Sequence, residues 1–274
     1  MLQNEHKRTY MNKIENRPLS PRQEYILQSA ASDGRVNVEA LADTLSVTPQ
    51  TIRRDLGALC DAGLLARVHG GAVSALARHN LGYAERQAVA TIAKQAIGRA
   101  AAALVPENAT VFLNIGTTTE CAAMALRRHQ DLTVVSNNLN IALTLADAPG
   151  VDVVVTGGSL RKADRGITGA MTTDAIRRFR PDVAIIGVSG IDPDGTLLDF
   201  DMQEVEASQA IMDTARRVIL VADRTKFSRH APVRIGEITS VSTLVTDQPP
   251  GHGITALCAE AGVEVIVAEV DGDG

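Results

Sequence analysis

Between Pro21 and Val73 the apolar positions recur at helical spacing and the helices are closely punctuated. Tyr25, Ile26, Leu27 and Ala30 share one stripe of a first helix, which the Asp33-Gly34 pair should stop. Asn37 is placed to cap a second helix with Val38, Leu41, Ala42 and Leu45 facing inward. After a short turn at Ser46-Val47, Thr48 at the N-cap and Pro49 at the first helical position open a third helix. Proline is tolerated there because its missing N–H would be unpaired anyway. Ile52, Leu56 and Leu59 form the buried face of that helix, so Gln50, Thr51, Arg53 and Arg54 fall on its outward, N-terminal side. The stretch from Leu64 to Val73 reads as a hairpin turning at the glycines. Two helices across a short turn, followed by a basic hairpin, predict a winged helix-turn-helix over 19–74.

From Thr110 onward the pattern changes. Short apolar runs alternate with helical segments: VFLNI, LTVVS, VDVVVTG, VAIIGVSG, RVILVAD, TLVT and VEVIVA. Such runs, separated by stretches long enough for crossover helices, predict a mostly parallel sheet with helices on both faces. An Ala-rich helix near 89–104 should begin this larger α/β domain, which is expected over 89–265. Residues 75–88 lack a sustained period and read as a linker, and residues 1–18 as a disordered extension of a cytoplasmic protein.

Charge and composition sharpen this division. Residues 1–80 hold 10 Lys and Arg against 8 Asp and Glu, a balance of +2, so that the remainder is −7 within a total of −5. A mildly basic head on an acidic body is the asymmetry expected of a separate nucleic-acid module. Apolar runs such as Ala100 to Val105 fall far short of the roughly 18–20 residues of a membrane span. Cys60, Cys121 and Cys258 are scattered and the six histidines dispersed, which suggests neither a disulfide framework nor a metal site.

The candidate chemistry lies at the strand ends, where open parallel sheets bind ligands. After VFLNI, Gly116-Thr117-Thr118-Thr119 opens a helix with free N–H groups and hydroxyls, a seat for phosphate that lacks the GK[ST] of a P-loop. Other strands end in Ser136-Asn137-Asn138, Gly157-Gly158, Gly187 to Asp192 and Asp223-Arg224-Thr225-Lys226. Lys226 supplies a point charge, while Asp199, Asp201 and Glu204 are either hydroxyl acceptors or exposed carboxylates. A small phosphorylated ligand fits these endings. The rival reading is a sugar-phosphate isomerase with Glu204 or Asp223 as general base and Lys226 as electrostatic stabiliser, for which the DNA-reading head has no evident use.

TPQTIRRDLGALCDAGLLARVHGGAV resembles the DNA-binding segment of the DeoR family of bacterial repressors. FLNIGTT, VVSNNLNIA, GVSGIDPDGTLLDFD with the following EV, and KF with APVRIG resemble its sensor domain. The resemblance implies a fold related to ribose 5-phosphate isomerases and a repressor that is not an enzyme and uses no cofactor. Its partners would be double-stranded operator DNA and a phosphorylated polyol or sugar effector, glycerol 3-phosphate first among them, and it would act as a homodimer or homotetramer away from membranes. Thr48, Gln50, Thr51, Arg53 and Arg54 would face the groove, with Arg67, His69, Gly70 and Gly71 in the wing. Gly116, Thr117, Thr118, Asn137, Asn138, Gly158, Glu204 and Lys226 would contact the effector. Thr119 after GTT, and Ser228-Arg229-His230 after Lys226-Phe227, depart from the family pattern.

Overall fold

The computed structural model describes residues 19–270 except 34, 63, 69 and 75–81. The expected extension over 1–18 lies outside the described residues, as does Gly34, which was to stop the first helix. The chain divides into two units, with the break between His79 and Asn80.

In the first unit, helices α1 (Pro21–Asp33), α2 (Val38–Thr44) and α3 (Pro49–Asp61) meet a three-stranded sheet of β1 (Arg35–Asn37), β2 (Leu65–Val68) and β3 (Gly71–Ser74). The local signals act as expected. The Asn37 side chain accepts from the N–H groups of Glu39 and Ala40, and Thr48 accepts from that of Thr51, with Pro49 in the first turn. Ile26, Ala30, Leu41, Ile52, Leu56 and Leu59 are buried together, whereas Tyr25 is exposed and Leu45 only partly buried. The stripe was therefore one position too wide in α1.

Strand β1 is not marked by the sequence pattern. It pairs antiparallel with β3, placing Asn37 opposite Gly71, and the sheet runs β1-β3-β2. A Cβ on Gly71 would sit 1.9 Å from the Val36 carbonyl oxygen, so the close approach of these two strands requires glycine. Asp55, buried on α3, accepts from Arg22 Nε of α1 at 2.5 Å and ties the two helices together.

The second unit is built on a seven-stranded, all-parallel sheet. Its strands are β4 (Thr110–Leu113), β5 (Leu132–Ser136), β6 (Val151–Val155), β9 (Val183–Gly187), β12 (Arg217–Val221), β14 (Thr243–Thr246) and β15 (Glu264–Val267). They lie in the order β15-β14-β12-β9-β4-β5-β6. All seven coincide with the predicted runs, each a short, mostly β-branched segment; the five inner strands are buried on both faces, whereas the edge strands β6 and β15 are partly exposed. The last strand continues two residues past the expected domain end at 265.

Helices α5 (Thr91–Ala103), α6 (Thr117–Leu126) and α7 (Leu139–Leu145) are joined by α8 (Ala170–Ile176), α9 (Met202–Thr214) and α10 (His252–Ala261). Two apolar clusters, one including Ile97, Leu113 and Leu126 and the other Phe112, Ile186 and Leu220, fill the space between sheet and helices. Three short antiparallel strands, β10 (Gly190–Ile191), β11 (Thr196–Asp199) and β13 (Val233–Glu237), form a separate ribbon, and β7 (Ser159–Leu160) pairs with β8 (Ile167–Thr168).

The described part of the expected linker over 75–88 contains a helix. Tyr83–Ala88 forms a helix, α4, capped by a hydrogen bond from Gly82 N–H to Glu85 at 3.1 Å. Six residues carry too little periodicity to reveal a helix whose residues are held by polar contacts and of which none is buried.

Candidate nucleic-acid interface and effector cleft

In the first unit, α2, the turn and α3 adopt the helix-turn-helix arrangement, and β2 and β3 form the wing. Gln50, Arg53 and Arg54 are exposed on α3, and Thr51 is partly buried. Thr48 and Thr51 hold the helix start, with their hydroxyl oxygens 2.9 Å apart. Arg53 Nη2 donates to Glu39 of α2 at 3.0 Å, whereas Arg54 has no ion-pair partner among the described residues. Arg67 is exposed on β2 and passes over Gly57 of α3. His69 lies outside the described residues. Gly70 turns the hairpin at φ +76°, and Gly71 is buried by its strand pairing. Arg54, Gln50 and Arg67 thus leave their polar groups exposed to solvent, while Gly71 shapes the wing.

In the second unit, the strand order reverses between β4 and β9, so the loops after these two strands leave in opposite directions and open a crevice. Ile115, Gly116, Thr117, Thr118, Val188, Ser189, Asp199, Glu204, Lys226 and Arg86 line a cleft there. Gly116 caps α6, and the first intrahelical bond runs from Glu120 N–H to its carbonyl at 3.0 Å. The N–H groups of Thr117 to Thr119 are therefore left for an acceptor beyond the helix start. Thr119, which departs from the family pattern, turns away from the cleft and donates to the Asn114 and Gly116 carbonyls, both at 2.8 Å.

The cleft's charges are unevenly matched. Burial, with help from Arg229, Lys94 and Arg86, holds Lys226 down at about 8 against the opposing pull of Asp223. Lys94 is buried and also held below its usual range, chiefly by desolvation. Burial and then Asp199 push Glu204 up to about 7, against Arg161, which ion-pairs with it. Arg161 also binds Asp164 through Nε at 2.8 Å and Nη2 at 2.6 Å, and Asp201 through Nη1 at 2.8 Å. Arg86 donates to the same Asp164 at 3.1 Å.

Five of the eight expected effector contacts, Gly116, Thr117, Thr118, Glu204 and Lys226, come together in this cleft. Asn137, Asn138 and Gly158 are not among the residues lining it. Asn137 is buried with Nδ2 donating to the Ile167 carbonyl at 3.1 Å. Asn138 caps α7 and donates to Glu120 at 3.0 Å. Gly158, at φ +143°, lies so close to α8 that a Cβ would be 2.1 Å from Thr172 Oγ1. Loop-building polar residues and ligand contacts look alike in sequence because both gather at strand ends. Conversely, Arg86 lines the cleft without being among the expected contacts; the Gly82–Glu85 cap was the one local signal that a helix carries it. A wider groove of about 1210 Å³ flanks α6 and includes Thr117 alone of the expected contacts.

A winged helix-turn-helix joined to a parallel α/β unit with a polar cleft at its switch point defines a ligand-responsive DNA-binding regulator. Residues 22–77 match the DeoR-like helix-turn-helix domain and residues 90–248 the DeoR C terminal sensor domain, so the chain belongs to the DeoR family and is a transcriptional repressor, not an enzyme. It is 44% identical to the glycerol-3-phosphate regulon repressor of Escherichia coli (strain K12), across 82% of this chain and 89% of that one. The protein of the same description from Haemophilus influenzae is 41% identical, across 90% and 96%. Among solved structures, ribose 5-phosphate isomerase from Plasmodium falciparum aligns over 51% of this chain and 53% of its own at 15% identity, with a TM-score of 0.37. Among the described residues no helix is long and apolar enough to cross a membrane.

Proposed function

We propose that glycerol 3-phosphate is the effector, that it binds in the cleft between the ends of β4 and β9, and that its binding releases the repressor from operator DNA. The observation that carries this reading is the meeting of the α6 N-terminus, Thr117, Thr118 and Lys226 at one point, where the N–H groups and the ammonium suit a phosphate dianion. Glu204 and Asp199 on the facing wall suit the glycerol hydroxyls as acceptors. The names of the two relatives support the choice of polyol. On the DNA side, Gln50 and Arg54 read base edges, while Thr48, Thr51, Arg53 and the wing residues Arg67, His69, Gly70 and Gly71 set the docking. One such head offers few base contacts, so the repressor works in the cytoplasm as a homodimer or homotetramer on half-sites about 34–36 Å, or a multiple, apart.

The test is anisotropy of a labelled promoter fragment from a glycerol-use operon, titrated with the protein and then with a panel of sugar and polyol phosphates. Release by glycerol 3-phosphate at the lowest concentration is expected. Release by a different phosphate would overturn the choice of effector, and failure to bind at low salt, where phosphate contacts are strongest, would overturn the operator.

A further inference from the structure

The cleft is narrow, with a volume of about 30 Å³, and opens to solvent, so seating a phosphorylated polyol fully requires lining groups to move. Most of the lining belongs to the strand ends and to α6 and α9, which are anchored in the apolar clusters. Arg86 is different, because it stands on α4, a helix with no buried residue.

Four observations place Arg86 at a decision point. Its guanidinium is held on one side by Asp164, which Arg161 already binds through two nitrogens. Its Nε is buried without a hydrogen-bond partner, an unsatisfied donor in a cleft already rich in positive charge. Its own carbonyl accepts from buried Lys94, so backbone and side chain are both tied to the cleft's cations. Finally, Ala90, which separates α4 from α5, sits at φ +54°, a left-handed conformation unfavourable for alanine, and so marks a strained joint about which α4 can turn.

We propose that Arg86 senses the effector by exchanging partners, leaving Asp164 for the phosphate group, and that α4 moves with it when the cleft is occupied. This rests on the reading of the cleft as the effector site. The exchange is favourable because Asp164 keeps its two bonds from Arg161 while the idle Nε gains an acceptor. It also explains why the sensing residue stands on a helix with no buried residue and not on the better-anchored sheet.

The experiment compares wild type, Arg86→Gln and Arg86→Lys by operator anisotropy, by calorimetric titration with glycerol 3-phosphate, and by hydrogen exchange across 82–90. In Arg86→Lys, which keeps a cation for Asp164, operator affinity without effector should stay within about twofold of wild type, which also reports folding. Arg86→Gln should need about tenfold more glycerol 3-phosphate for half-release, the loss of one charge-assisted contact. Arg86→Lys should fall between, since it keeps the charge but not the planar fork. Effector should change exchange at 83–88 in wild type and not in Arg86→Gln. Half-release of Arg86→Gln at the wild-type concentration, or release of wild type with no change in exchange at 83–88, overturns the proposal. If wild type itself is not released by glycerol 3-phosphate, the effector reading beneath it falls, a failure visible before any variant is made.

Discussion

Alkaline pH should weaken effector binding through Lys226. In the free protein its ammonium is held down at about 8, mainly by desolvation and secondarily by the positive charges of Arg229, Lys94 and Arg86. A phosphate dianion seated against it would favour the charged form and return its pKa toward the ordinary 10.5. Binding is then linked to uptake of a proton by the fraction of Lys226 that is neutral. That fraction is about one tenth at pH 7 and about nine tenths at pH 9, so affinity should drop about tenfold across this interval, about 1.4 kcal/mol. The phosphate itself contributes little, since its second ionisation is complete above about pH 7.

Glu204, pushed up to about 7, gains charge over the lower part of the range. Its effect is limited to about twofold and can be removed with Glu204→Gln. Lys94, also depressed, is distinguished by Lys226→Arg, because a guanidinium stays charged throughout. The assay is calorimetric titration with glycerol 3-phosphate between about pH 6.5 and 9.5, in buffers of different ionisation enthalpy so that proton uptake is counted directly. Flat wild-type affinity between pH 7 and 9, or an undiminished slope in Lys226→Arg, would refute the reasoning.

Other outcomes follow from the same geometry. Arg54→Ala should lower operator affinity by about 1–3 kcal/mol and relax preference at one base pair, measured by competition between matched and mutated operators; unchanged preference with a shallower salt dependence would assign Arg54 to phosphate. Gly71→Ala drives a methyl group into the Val36 carbonyl, so the first unit should lose about 1–3 kcal/mol in denaturant titration while the second still binds effector. Asn138→Ala removes the α7 cap and the bond to Glu120 and should destabilise the second unit by about 2 kcal/mol, with effector affinity of the folded protein unchanged within about twofold. A large loss of affinity at undiminished stability would return Asn138 to the ligand.

What the sequence determined by itself is whatever depends on neighbours along the chain. The Thr48-Pro49 helix start and the Asn37 cap need only two or three residues of context. The five inner parallel strands announce themselves because burial on both faces demands unbroken apolar runs, and the edge strands β6 and β15 through their Val-rich composition. The family resemblance was legible for the same reason, being carried by contiguous segments. What only the tertiary structure decided depends on which distant segments become neighbours. Strand β1 exists because residues 35–37 meet β3, and Gly71 belongs to that meeting as much as to the wing. The cleft exists because β4 lies beside β9, about seventy residues later in the chain. Asp164 meets Arg86 across 78 positions, and Arg161 meets Asp201 across 40. Such pairs leave no period in the sequence, since one charge on a short helix or loop reads the same whether it faces water or a ligand. Polar residues at strand ends could therefore be recognised as a group, but only the packing separated Thr117, Glu204 and Lys226, which face the cleft, from Asn137 and Asn138, which hold the loops that surround it.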